Sequence, residues 1–161
     1  MISFDELNQM PAPILEAELL TCCGSTNWAK KMLEARPFKD KATLVKKADE
    51  IWKSLSKTDW LEAFSHHPRI GDRNASARFT KDEQKGTSIA STDTLNQLRE
   101  LNEEYEKIFN HVYLVFATGK SAVEMLEILK IRIKNTPEIE LQNAVAEQSK
   151  IMALRLEKLI K

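Results

Sequence analysis

Residues 136–161 read TPEIELQNAVAEQSKIMALRLEKLIK, and this stretch decides the fold. Thr136-Pro137 puts proline at the first position of a helix, where a missing N–H costs nothing and a fixed φ suits the first turn. Beyond it Ala144, Gln148, Ile151, Met152, Arg155 and Leu159 recur at spacings of three and four, the stripe of one helix that reaches the C-terminus. An arginine on a core-facing stripe must find an anion, because burying an unpaired charge is costly. The residues allow two answers: an internal ion pair, with Glu147 as an exposed alternative, or a bound carboxylate matched by the guanidinium fork.

The same helical periodicity extends backwards along the chain. Ser121-x-x-Glu124 caps a helix to about Asn135, and Leu95, Leu98, Leu101, Tyr105 and Phe109 mark a long one. Thr80-x-x-Glu83 has the form of a capping box, while Pro68 to about Phe79 is a polar loop. Helices are expected from Thr58 through Leu61 and Phe64, over Lys41–Ser56, and from Ser25 with Trp28 and Met32 on one face and Pro37 as the stop. Two more open the chain: about Ala12–Leu20, ending near Cys23-Gly24, and a short one capped by Ser3-x-x-Glu6. Tyr113–Ala117 is an apolar run too short to type. With only four glycines and almost no strand-like alternation, the expectation is an all-α, single-domain bundle of about eight helices over 1–161.

Composition narrows the function classes. The chain has 161 residues, with 24 Lys plus Arg against 24 Asp plus Glu. No overall field would draw it to nucleic acid or to a membrane surface. No apolar stretch approaches spanning length. Cys22 and Cys23 are adjacent and have no third cysteine to bridge, so a reducing, cytoplasmic setting is expected. The start MISFDELNQM has no basic region leading into an apolar run, and Leu159-Ile160-Lys161 is not a peroxisomal address.

Chemistry centres on His66-His67-Pro68-Arg69-Ile70-Gly71-Asp72. Proline forces the preceding residue out of the helical region, so the helix through Phe64 ends at or before His67. That mounts the imidazole of His67 on restricted backbone, with a pKa suited to acid–base work. The bland alternative is one histidine at the helix end and the other in water. Glu83 is either the closing residue of a capping box or a carboxylate for His67 or a substrate N–H. A metal site drawn from His66, His67, Asp72 and His111 has no spacing motif behind it. There is no glycine-rich phosphate loop, CxxC or nucleophile elbow.

Together these segments resemble a family. Cys22-Cys23-Gly24-Ser25 with Trp28-Ala29, Trp60 to Phe64, and His67 to Asp72 look like the OHCU decarboxylases, which act on 2-oxo-4-hydroxy-4-carboxy-5-ureidoimidazoline. Glu83-Gln84, Asn102 to Tyr105, Ala117 to Ser121, Arg132 with Asn135, and Arg155-Leu156 match in the same order. The resemblance implies an all-helical, cofactor-free, metal-free decarboxylase, usually a homodimer, that forms (S)-allantoin in the last step from urate. It implies catalytic roles for His67, Glu83 and Arg155. It implies substrate contacts from Pro68, from Thr80, Lys81, Asp82 and Gln84, and from Tyr113, Leu114, Val115, Phe116 and Ala117. One departure stands out: relatives often read Lys-Phe-Gly where this chain has Ile108-Phe109-Asn110. Asn tolerates the left-handed conformation, so the turn is expected to survive. Two other readings stay open, a helical interaction module with an exposed apolar groove and a metal-dependent hydrolase using the histidine pair.

Overall fold

The computed structural model describes residues 1–72 and 79–161; part of the polar stretch read from Pro68 to Phe79 lies outside them. Among the described residues there are nine α-helices: α1 Phe4–Gln9, α2 Ala12–Cys22, α3 Thr26–Glu34, α4 Lys41–Ser54, α5 Lys57–Ser65, α6 Thr80–Glu83, α7 Thr92–Phe109, α8 Ala122–Arg132 and α9 Pro137–Leu159. No strand occurs among them, only an isolated parallel bridge between Ile2 and Ile160. The all-α expectation holds. None of the described helices is long and apolar enough to cross a membrane.

Local chemistry explains most of the boundaries. Ser3 accepts from the Glu6 N–H while Glu6 accepts from the Ser3 N–H, a complete capping box for α1. Ser25, Ser91 and Ser121 cap α3, α7 and α8 in the same way, each hydroxyl accepting from the N–H three residues on. At its C-terminus α7 stops on Asn110, which takes φ 60° and ψ 25°, so the turn that relatives build with glycine survives here.

Thr80 departs from expectation. It is not a cap but the first residue of the short α6; Phe79 holds the cap position in helical conformation and makes no side-chain cap. The Thr80–Glu83 stretch also does not grow into the long helix. It breaks at Gln84 into a 3-10 turn over Lys85–Thr87. There Gly86 passes so close to Lys120 that an added Cβ would lie 2.0 Å from the Lys120 carbonyl oxygen.

The chain divides into two compact units, residues 1–63 with 148–161 and residues 64–147. In the first, α2 packs on α3 and α3 on α4. Its core includes Leu15, Leu19, Trp28, Met32, Leu44, Trp52, Met152 and Leu156, all fully buried. Each side chain of this size stabilises by about 1.5–3 kcal/mol on burial. The Trp28 indole donates to the Ala48 carbonyl at 3.1 Å and the Trp60 indole to that of Trp52 at 2.9 Å. Cys23 is buried here, and burial pushes its thiol up to about 12, which leaves it unreactive at neutral pH. In the second unit α7 packs on α8 around Leu98, Tyr105, Phe109, Tyr113, Met125 and Leu129.

Candidate active site

The His-Pro segment leaves the end of α5 as proline requires: the His67 N–H closes the last turn on the Phe64 carbonyl at 3.1 Å. His66 is exposed and His67 and Pro68 are half-buried. The residues that follow are pinned to α7 and α6. Arg69 donates a two-pronged fork to Glu106 at 2.8 and 2.7 Å, with Glu103 at 3.7 Å, and these bonds hold its guanidinium pKa up. The Ile70 carbonyl accepts from Asn102 Nδ2 at 3.3 Å. Gly71, at φ 86°, donates its N–H to Gln84 Oε1 at 2.9 Å. The structure thus brings Gln84 to the histidine segment, through its side chain on the backbone of Gly71.

The other α6 residues divide by exposure. Thr80 is 3% exposed, and its hydroxyl has no hydrogen-bond partner among the described residues. Lys81 and Asp82 are exposed, Asp82 lying 3.3 Å from Lys85, while Glu83 is half-buried. Because Phe79, not Thr80, occupies the cap position, Glu83 is not the third residue of a capping box, and that structural explanation for it falls away.

Tyr113–Ala117 is neither helix nor ladder, and all but Phe116 are buried. Side chains hold this irregular backbone. The Tyr113 hydroxyl donates to the Met125 carbonyl at 2.9 Å. Arg132 Nη1 donates to the Leu114 carbonyl, with its guanidinium 5.0 Å from the Tyr113 ring centre. Phe116 donates its N–H to Glu147 at 3.4 Å, and its carbonyl accepts from Lys120 Nζ at 2.7 Å. Arg132 in turn donates Nε to Glu140 at 2.8 Å. Glu140 is fully buried and also accepts from Tyr105 at 2.7 Å, Asn135 at 3.0 Å and Asn143 at 2.7 Å. Burial opposes ionisation of Glu140. The bonds from Asn135, Tyr105 and Asn143 and the charge of Arg132 outweigh it and hold the carboxyl below its ordinary 4.5. The same burial and the Glu140 bond push the Tyr105 hydroxyl well above its ordinary value. Sequence reading matched Arg132 and Asn135 to the family without giving them a task. The available signal was opposite charge across a short connection, Arg132 in the last turn of α8 and Glu140 in the first turn of α9.

Arg155 belongs to the first unit and is buried, 8% exposed, as its stripe requires; Nη1 lies 3.3 Å from the Thr21 carbonyl. Ala144, Gln148, Ile151, Met152 and Leu159 on the same stripe are buried too. Among the described residues no three His, Cys, Asp or Glu side chains gather as metal ligands. A cleft of 790 Å³ in the second unit is lined by Gly86, Ile89, Thr118, Lys120 and Val123, with Ile89 90% and Val123 56% exposed.

Residues 8–157 match the family model described as OHCU decarboxylase. The chain is 35% identical over 157 residues to "Uric acid degradation bifunctional protein TTL" of Arabidopsis thaliana, covering 93% of this chain and 48% of that protein. It is 26% identical over 136 residues to the 2-oxo-4-hydroxy-4-carboxy-5-ureidoimidazoline decarboxylase of Halalkalicoccus jeotgali, 81% of this chain and 76% of that one. The chain spans about half the length of the Arabidopsis relative and a third of the bifunctional protein PucL of Bacillus subtilis. A crystal structure of OHCU decarboxylase in the presence of (S)-allantoin superposes with a TM-score of 0.80 at 36% identity, over 88% of this chain and 96% of that one. A crystal structure of (S)-allantoin synthase shares the fold, with a TM-score of 0.78 at 18% identity.

Proposed function

Because this chain belongs to the OHCU decarboxylase family, we propose that it converts 2-oxo-4-hydroxy-4-carboxy-5-ureidoimidazoline to (S)-allantoin and CO2 without a cofactor. The observation that carries this reading is the family match over residues 8–157, within which the His-Pro-Arg-Ile-Gly-Asp segment is pinned at Arg69, Ile70 and Gly71.

The substrate supplies its own electron sink. Its carboxylate sits on a carbon next to a ring C=N. As the C–CO2 bond breaks, its electron pair forms a C=C bond with the neighbouring carbon, and the C=N pair moves to nitrogen, which takes a proton. The hydroxyl then loses its proton to become the new carbonyl, and the ureido-bearing carbon takes a proton on one face. The protein must hold the carboxylate out of the ring plane and move those protons. His67 is the acid–base group, Glu83 orients the ureido group or His67, and Arg155 binds an anionic or oxo group. Arg155 must not grip the departing carboxylate too well, since that stabilises the ground state over the transition state. Pro68, Thr80–Gln84 and Tyr113–Ala117 are the binding residues in this reading. Exposed Lys81 and Asp82 serve through backbone, and Gln84 serves with its side-chain carbonyl already engaged by Gly71.

The reading extends to a cytoplasmic homodimer. The two reduced, buried cysteines and the balanced charge favour a reducing compartment, and exposed Ile89 and Val123 offer apolar surface for a second copy. Light scattering of the purified chain at micromolar concentration should give twice the monomer mass; a monomer removes the dimer. For the activity, freshly generated substrate is added and the circular dichroism of the product followed. The expected result is optically active allantoin appearing faster than spontaneous decay, unchanged by chelators. Racemic product at the spontaneous rate would overturn the reading, and collapse on chelation would favour the metal-dependent alternative.

A further inference from the structure

The backbone of Tyr113–Ala117 cannot hold itself. It has neither helical bonds nor a neighbouring strand, so side chains must fix its position. They do so at alternate residues: Arg132 on the Leu114 carbonyl, Glu147 on the Phe116 N–H and Lys120 on the Phe116 carbonyl. Val115 lies between them. It is 2% exposed, and its own N–H and C=O meet no hydrogen-bond partner among the described residues. Buried main-chain groups left unpaired in this way are rare, and a ligand carrying an adjacent donor and acceptor would satisfy both. A cyclic ureide carries that pair.

We infer that Arg132, locked by Glu140, is a positioning residue that sets where the Val115 N–H and C=O are presented to the ureide of the substrate. This inference rests on the decarboxylase reading. A methionine or lysine could fill the space at 132, but neither could reach Leu114 and Glu140 together with two donors in one plane. The fixity lies in Glu140. Its oxygens accept from Arg132, Tyr105, Asn135 and Asn143, so the arginine head has one available orientation. Lys120 does the same for Phe116 from a less buried position, with its ammonium also 5.3 Å from the Phe116 ring centre.

Main-chain bonds to a ureide exist before and during CO2 release, so loosening them weakens substrate and transition state alike. That signature is a raised KM with kcat little changed. Arg132→Lys should raise KM about tenfold or more and leave kcat within about threefold. Its product should also lose optical purity, because the ring is held less firmly against one face. Lys120→Met tests the same edge at a half-exposed site where folding is safe; KM should rise a few-fold with kcat kept. Both are measured on the full chain beside the wild type, with thermal midpoints recorded. If wild type turns over and Lys120→Met keeps KM and optical purity, the inference is overturned while the decarboxylase reading stands. A fall in kcat at constant KM in either variant overturns it too. Wild-type protein that leaves the spontaneous rate unchanged removes the decarboxylase reading, and this inference with it.

Discussion

The two units bury polar groups for different ends. In residues 1–63 with 148–161 such groups mostly finish helices. Glu62 accepts from the N–H and hydroxyl of Thr26 at the start of α3, at 2.8 and 2.9 Å. Two indole N–H groups end on carbonyls. These bonds satisfy orphan donors and acceptors and add rigidity to an apolar core. In residues 64–147 a charged pair, Arg132 and Glu140, is buried with three further donors, and it supports backbone that belongs to no helix. Replacing such a pair with apolar groups is often neutral or stabilising, so stability alone is a weak reason to keep it. The difference teaches where geometry matters more than stability. Arg155 is buried in the first unit as well, but the buried Arg132–Glu140 pair that supports irregular backbone lies in the unit that carries His67, Glu83 and the Tyr113–Ala117 run.

The sharpest break in that contrast would come from the histidines. His67→Asn should lower kcat by about 10²–10⁴-fold, roughly 3–5 kcal/mol of barrier, with the fold intact by circular dichroism. His66→Asn, at the exposed neighbour, should cost little. Comparable losses from both would end the assignment of acid–base chemistry to His67.

Next in size is the charged pair itself. Glu140→Ala leaves Arg132 buried without its carboxylate and should lower urea-unfolding stability by about 3–5 kcal/mol. Lys130→Ala, at the exposed Lys130–Glu127 pair 2.9 Å apart, should cost under about 0.5 kcal/mol. Equal costs would show that burial does not set the value of these pairs.

Acid sharpens the same point. The Glu140 carboxyl is held below 4.5 in the folded chain, so the stability it contributes is present above that value. That stability is lost as pH falls through the lower, folded value. The urea midpoint of the wild type should therefore drop more steeply below about pH 4.5 than that of Glu140→Gln. Parallel curves would remove Glu140 as a source of acid sensitivity.

A smaller effect than that of Glu140→Ala is expected at Asn110. With φ at 60°, Asn110→Ala should destabilise by about 1–2 kcal/mol, while Asn110→Gly should stay near neutral. A stabilising alanine would mean that the turn before Tyr113 is not held left-handed in solution.

Helix content, most caps and the burial of Arg155 were legible in the order of residues, because they depend on spacings of three and four and on side chains that bond their own backbone. Ser3, Ser25 and Ser121 cap as read, and Asn110 takes the turn expected of it. His66 is exposed and His67 half-buried at the helix end that Pro68 requires. The Thr80 box failed for a reason outside its own four residues: Thr80 is buried, and Phe79 takes the cap position. Likewise nothing in the apolar run at 113–117 announces its irregular backbone. Its conformation is set by Arg132, Lys120 and Glu147, between four and 31 residues from the groups they hold. Local propensity governs groups that meet within one helical turn. Where a buried charge finds its partners is decided only when distant helices have packed.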